Sequence, residues 1–215
     1  MKSNSKFELL VATYVHDLKN QLQSLTAQQY LLINELPSEY QQQLAPMLRQ
    51  TNQIKEDTLR LVSLFRLENK DSFAMDDAWP RDTANDAIES CQLQFPDLNI
   101  ENNISLEAQG FYNEQLIKLA LITLITNSAQ AGAKQVRLEC TEDENQSICI
   151  IVRDDGPGFN QNILEGLTDT TKPEGTGLGL CFVEIICQNH KGAGKQGTLS
   201  ISNTKEGAIA TLFLP

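Results

Sequence analysis

Gly175-Thr176-Gly177-Leu178-Gly179 runs directly into the apolar stretch Leu180-Cys181-Phe182-Val183-Glu184-Ile185-Ile186. Glycine amides followed by a helix N-terminus form an anion site, because those amides have no helical partner and the helix dipole adds to their attraction. The spacing is GxGxG after a polar loop, not GxGxxG after a strand, which argues against a dinucleotide-binding fold. The Gly-Lys-Ser/Thr ending of a Walker loop is also missing. Lys172, just upstream, is within reach of a phosphate; a solvated loop lysine is an equal reading of it. A helix is expected over 176–190.

Upstream, Asp154-Asp155-Gly156-Pro157-Gly158 follows an apolar run, 148–152, that reads as a strand. Gly156 and Gly158 allow a tight turn and a close approach to a flat ligand. The carboxylate of Asp154 can accept a hydrogen bond from an exocyclic amine, such as adenine offers. Taken in isolation, Asp-Asp-Gly is more simply a turn.

Earlier still, Asn113 is the expected N-cap of a long helix from 114 to about 131, ended by Gly132. Thr123, Asn127 and Gln130 share one polar stripe among apolar neighbours on it. The side-chain oxygen of Asn127 suits Mg²⁺, although an amide near a helix end more often caps local backbone.

The first segment is different in kind. Phe7, Val11, Tyr14, Leu18, Leu22, Leu25, Leu32 and Leu36 recur at steps of three and four, with Gln29 interrupting. Pro37-Ser38-Glu39 reads as a turn. Leu44, Leu48, Thr51, Ile54, Thr58, Leu61, Val62 and Phe65 continue the pattern on a second helix. Such a hairpin exposes too much apolar surface alone, so two are expected to pair as a four-helix bundle in a homodimer. His16-Asp17-Leu18-Lys19-Asn20 lies on the first helix. His16 stands about 200° around the helix from both Tyr14 and Leu18, away from the seam. On spacing alone it is an ordinary surface histidine.

The 215 residues allow one large domain or two small ones, and the division is expected near residue 70: 1–70 for the hairpin, 71–215 for the remainder. Residues 69–80 read as a linker leading into the second domain. The formal net charge of -11 argues against a nucleic-acid or anionic-membrane surface, which needs clustered Lys and Arg. Cys91, Cys140, Cys149, Cys181 and Cys187 form no CxxC pair and read as buried free thiols in a reducing compartment. No stretch is apolar for long enough to span a bilayer, and no signal peptide is visible, so a cytoplasmic location is expected. Beyond the linker, 82–94 reads as helix, 98–106 as extended, 136–140 and 148–152 as strands around a turn at 142–145, and 198–202 and 208–214 as a hairpin. The fold class is therefore α+β: a helical hairpin, then a mixed sheet with helices on one face.

These four blocks resemble, in this order, the H, N, G1 and G2 boxes of bacterial two-component sensor histidine kinases. The resemblance covers about residues 7–215. The run from Thr170 to Leu180 is similar to that of nitrogen-regulation-type members. The resemblance implies a dimeric phosphoacceptor hairpin followed by an α/β sandwich ATP-binding domain of the histidine kinase, gyrase and chaperone superfamily. It implies that His16 is the phosphorylated residue, with Asp17 taking its proton. Asp154 reads adenine, with Gly156 and Gly158 shaping the turn beside it. Asn127 holds Mg²⁺. Lys172, Gly175, Thr176, Gly177, Leu178 and Gly179 belong to the lid over the phosphates. It further implies transfer of the phosphoryl group to an aspartate of a response-regulator receiver domain, and a role for Asn20 in dephosphorylating that receiver.

The sequence departs from the family pattern in four places. Gln21 stands where many members have proline, Thr123 where many have asparagine, and Gln130 where many carry a base. The lid, 159–174, is short and has Thr168-Asp169 in place of an aromatic pair. Thr123 and Gln130 favour an alternative, a non-catalytic phosphotransfer or scaffold protein, while the intact Asp154 and glycines oppose it. A superfamily ATPase without phosphohistidine chemistry is a third reading, opposed by the hairpin that bears His16-Asp17.

Overall fold

A computed structural model describes residues 3–37, 74–143, 147–165 and 178–215, and 39–58 apart from positions 42, 45, 49, 53 and 56; the side chains of 3–16, 19, 34 and 178 lie outside the description. The chain divides into two compact units, residues 1–72 and 73–215.

The first unit contains helix α1, Ser3–Glu35. It runs unbroken through Gln21, which, unlike proline, keeps its backbone N–H for the helical ladder. After a turn the described residues of 39–58 are helical again (α2). The turn is closed by Tyr40 and Gln41 N–H groups donating to the Pro37 carbonyl, and by Gln41 Nε2 donating to Leu36 O at 2.8 Å. Ser38 of the expected turn lies outside the described residues.

The apolar seam is only partly closed within one chain. Leu22 is buried, Leu18, Leu36, Leu44 and Leu48 are half-buried, and Leu25, Leu32 and Ile54 are exposed. Gln29, expected as an interruption, instead joins the two helices by donating from Nε2 to Thr51 Oγ1 at 3.1 Å. Thr26, Thr51 and Thr58 are buried with hydroxyls donating to the carbonyls four residues back, and Thr51 accepts the Gln29 bond as well. Phe7, Val11, Tyr14, Leu61, Val62 and Phe65 lie outside the described side chains.

The second unit is built on a five-stranded mixed sheet. Its strands are β2 (Asn99–Asn102), β4 (Gln135–Glu142), β5 (Ile148–Asp154), β8 (Thr198–Asn203) and β9 (Ala208–Leu214), in the order β2-β4-β5-β9-β8. Only β2 and β4 are parallel. Period-two burial selects one face: Ile148, Ile150 and Val152 of β5 and Ala208, Ala210, Leu212 and Leu214 of β9 are inside. Helices α3 (Pro80–Gln92), α4 (Glu114–Gln130) and α6 (Leu178–Asn189) supply the other half of the core through Ile88, Ile117, Leu121, Ile125, Phe182 and Ile186. The opposite face is mixed, with Arg153 paired to Glu139 and Arg137 to Glu101 beside the half-buried Ile151, Ile209 and Phe213. A short helix α5, Gln161–Leu164, follows β5.

The structure departs from expectation in three ways. First, the presumed linker contains strand β1 (Asp76–Ala78), paired antiparallel with β3 (Gly110–Tyr112). Second, the extended stretch 98–106 is a strand only to Asn102. That side chain donates to Arg81 O and Asn85 Oδ1 and accepts from Ile104 N, turning the chain away from the sheet. Third, Lys191–Gly192 (β6) and Lys195–Gln196 (β7) form a small hairpin whose turn, Ala193-Gly194, has φ of 49° and 75° at its two central residues. Positive φ at both is the signature of a two-residue hairpin turn.

Candidate nucleotide site

The C-terminal end of β5 carries Asp154, and three donors converge on its carboxylate. Gly156 N and Ala208 N donate to Oδ1 at 2.9 and 3.1 Å, and the Ser128 hydroxyl donates to Oδ2 at 2.6 Å. The adjacent Asp155 faces elsewhere: its Oδ1 accepts from the backbone N–H groups of Lys134 and Gln135 at 2.7 and 2.9 Å. Those two backbone donors, Gln135 first, hold its carboxyl below the usual carboxylate range. One aspartate thus ties down the start of β4, and the other is anchored at the mouth of the site.

The glycines answer specific steric demands. Any Cβ on Gly156 would come within 3.1 Å of Asp154 Oδ1. Gly158 adopts φ +81°, and its Cβ would meet the Asn203 side chain at 2.8 Å. Asn203 in turn clamps Phe159, accepting from its N–H and donating to its carbonyl, both at 2.8 Å. Gly207 lets the β8–β9 turn lie against the Asp154 carbonyl, with no room for a side chain.

Helix α4 supplies the second wall. Its N-cap is Asn113, accepting from Leu116 N at 3.0 Å. Near its other end Asn127 is half-buried, while Thr123, one turn earlier, is buried and spends its hydroxyl on Leu119 O at 2.8 Å. A Cβ on Gly179, at the start of α6, would stand 3.3 Å from both amide atoms of Asn127 and from Thr123 Cγ2. The fold therefore brings Asn127, Ser128, Asp154 and Gly156 together through Ser128, and Gly179 to Asn127. Gln130 is exposed at the helix end. Lys172, Gly175, Thr176, Gly177, Thr168 and Asp169 lie outside the described residues, as does the side chain of Leu178, the first residue of α6.

Sequence reasoning passed over Ser128, Asn203 and Gly207. Ser128 directly follows Asn127, yet nothing local shows that its hydroxyl reaches a strand residue 26 positions away. A cavity of about 300 Å³ also touches Asp154, with Arg153, Lys205, Glu206 and Ile209 among its walls. It shares Asp154 and Ala208 with the site just described, while Asn127, Ser128 and Gly179 do not line it.

On the hairpin, position 16 falls within α1, with Asp17 and Asn20 exposed beside it; the His16 side chain lies outside the described residues. The other histidine, His190, is buried. Its Nε2 accepts from Asn113 N at 3.0 Å and its Nδ1 faces Ile186 O at 2.8 Å, which assigns the ring proton to Nδ1. Burial lowers its pKa from the ordinary histidine value. All five cysteines are free thiols; Cys91 and Cys187 are buried, while Cys140, Cys149 and Cys181 are half-buried rather than enclosed as expected. Burial pushes Cys187 up to about 12, so its thiol stays protonated and inert. No helix among the described residues is long and apolar enough to cross a membrane.

Residues 112–215, the span that carries this site, match the family of histidine kinase-, DNA gyrase B- and HSP90-like ATPases. Over 207 residues the chain is 28% identical to the tetrathionate sensor histidine kinase TtrS of Salmonella typhimurium, covering 90% of this chain and 34% of that protein. Sensor histidine kinases are thus the proteins that this chain resembles along most of its length. The sensor histidine kinase RppB of Synechocystis is 25% identical over 236 residues, covering all of this chain and 50% of that protein. This chain thus spans about a third to a half of these relatives' length. The solved Acinetobacter baumannii histidine kinase AdeS shares its fold at 20% identity and a TM-score of 0.59, over 93% of this chain and 96% of that one. The ATP-binding domain of PrrB from Mycobacterium tuberculosis does so at 23% identity and a TM-score of 0.55, over 66% of this chain and 96% of that one. The match to that ATPase family supports ATP binding by the second unit.

Proposed function

We propose that this chain is an ATP-dependent protein histidine kinase, with residues 1–70 as a homodimerising phosphoacceptor hairpin and 71–215 as the catalytic domain. The observation that carries the reading is the anchored carboxylate of Asp154, joined through Ser128 to the helix that bears Asn127, within a span that matches the family's ATPases. Asp154 accepts from the adenine amine, and the glycines and Lys172 of the lid surround the phosphates.

An imidazole nitrogen of His16 attacks the γ-phosphorus, the bond to the β–γ bridging oxygen breaks, and ADP leaves. Asp17, the next residue on α1, takes the imidazole proton and orients the ring. The phosphoramidate is then passed to an aspartate of a response-regulator receiver domain. Asn20, four residues on along the same helix face, presents its amide to water when the regulator is dephosphorylated.

Mg²⁺ fits the donors present. It needs one or two protein oxygens beside phosphate and water, and the side-chain oxygen of Asn127 is such a ligand. When bound it would neutralise charge on the phosphates. The reading places the protein in the cytoplasm.

Incubation with γ-labelled ATP tests the proposal. A label stable to base and lost in acid is expected, the behaviour of a phosphoramidate. ATP binding without label would instead support a phosphotransfer or scaffold role. Phosphate release without label would support a plain ATPase.

A further inference from the structure

A carboxylate held through one oxygen only is a loose reader of a ligand, because its other oxygen can swing. Gly156 N and Ala208 N both hold Oδ1 of Asp154. Oδ2, the oxygen left to meet a ligand, accepts from the Ser128 hydroxyl at 2.6 Å. Ser128 is 6% exposed, so water competes little for its hydroxyl. It is also the next residue after Asn127 on α4, so one turn of helix carries both a metal-type ligand and the group that sets the carboxylate.

We infer that Ser128 is a positioning residue for nucleotide recognition, orienting Asp154 Oδ2 to accept from the exocyclic amine of the base. The inference rests on the ATP reading above and adds a residue to it. With its proton committed to Oδ2, the serine oxygen keeps its lone pairs and leaves the second lone pair of Oδ2 for the ligand. Ser128→Ala removes a single oxygen and puts a strong helix former in its place, so α4 is retained.

The test measures affinities of the full chain for ATP and for purine riboside triphosphate, which lacks the 6-amino group. The ratio of the two does not depend on the fraction of active protein. Wild type is expected to favour ATP by roughly tenfold, the worth of a hydrogen bond to a charged group. In Ser128→Ala that preference should fall several-fold, chiefly through weaker ATP binding. Ser128→Thr, which keeps the hydroxyl, should retain it. An unchanged ratio in Ser128→Ala, or a fall equal for both nucleotides, overturns the inference. So does a preference lost as fully in Ser128→Thr as in the alanine variant. Wild type that binds neither nucleotide overturns the ATP reading itself.

Discussion

Gly179 lies against the side-chain amide of Asn127, so close that a Cβ would stand 3.3 Å from both Nδ2 and Oδ1. The first helical turn of α6 packs so tightly on α4 here that a side chain at this position would press on the Asn127 amide. Gly179→Ala is therefore expected to displace the Asn127 amide by a few tenths of an ångström. Nucleotide affinity measured in the presence of Mg²⁺ should drop on the order of tenfold, with the thermal midpoint changing little, since a small shift of a proposed ligand costs binding more than folding. Unchanged affinity would show that Asn127 takes no part in binding.

His16→Ala should abolish phosphorylation while leaving ATP affinity unchanged. His190 is a poor substitute acceptor: it is buried, and its two nitrogens face Asn113 N and Ile186 O. Base-stable label persisting on the variant, mapped by mass spectrometry, would overturn the assignment.

Asp154→Asn should weaken adenine nucleotide binding by about 1–3 kcal/mol, the cost of leaving polar groups unmatched. The amide has one acceptor atom, whereas Gly156 N, Ala208 N and Ser128 Oγ donate to both carboxylate oxygens. Its NH₂ must face one of those donors or the ligand amine. Calorimetry showing wild-type affinity would remove Asp154 from the role of adenine reader.

The stability of the second unit should fall on mild acidification. Burial depresses the pKa of His190 in the folded state, so the unfolded chain binds the extra proton first. Its contribution is complete above the unfolded value of about 6.5 and is lost as the pH drops through that value toward the folded one. The lowered carboxyl of Asp155 acts in the same direction, but only near and below about pH 4. Thermal midpoints between pH 7.5 and 5.5 should therefore decline in wild type and stay flatter in His190→Gln. A flat wild-type profile would contradict the buried neutral ring.

The hairpin should dimerise through the residues it leaves open. Leu25 is 45% exposed and Leu32 54% exposed in the single chain, on a helix whose apolar seam is only partly covered among the described residues. Leu25→Glu should dissociate the dimer or unfold the hairpin, because an unpaired charge in an apolar bundle is strongly disfavoured. A folded wild-type monomer at micromolar concentration, by light scattering, would defeat the expectation.

The sequence by itself determined what depends on local periodicity and on backbone geometry. Strands β4, β5, β8 and β9 and helices α1, α3, α4 and α6 follow from apolar spacing, and the termini of α4 from the capping residue Asn113 and from Gly132. The tight turn through Gly156 and Gly158 was legible because an apolar strand ending in Asp-x-Gly-x-Gly constrains its own turn. Tertiary structure decided what depends on partners distant in the chain. Strands of three residues or fewer, β1, β3, β6 and β7, are too short to show a period and exist through pairing. Gln29 looked like a defect in a seam until α2 placed Thr51 opposite it. Adjacent aspartates of equal chemistry were given different partners by the fold alone. Asp155 meets the start of β4, and Asp154 meets a serine on α4. A hydrogen bond of 2.6 Å spanning 26 residues leaves no trace in the spacing of either segment, because only the packing of α4 on the sheet brings its two ends together.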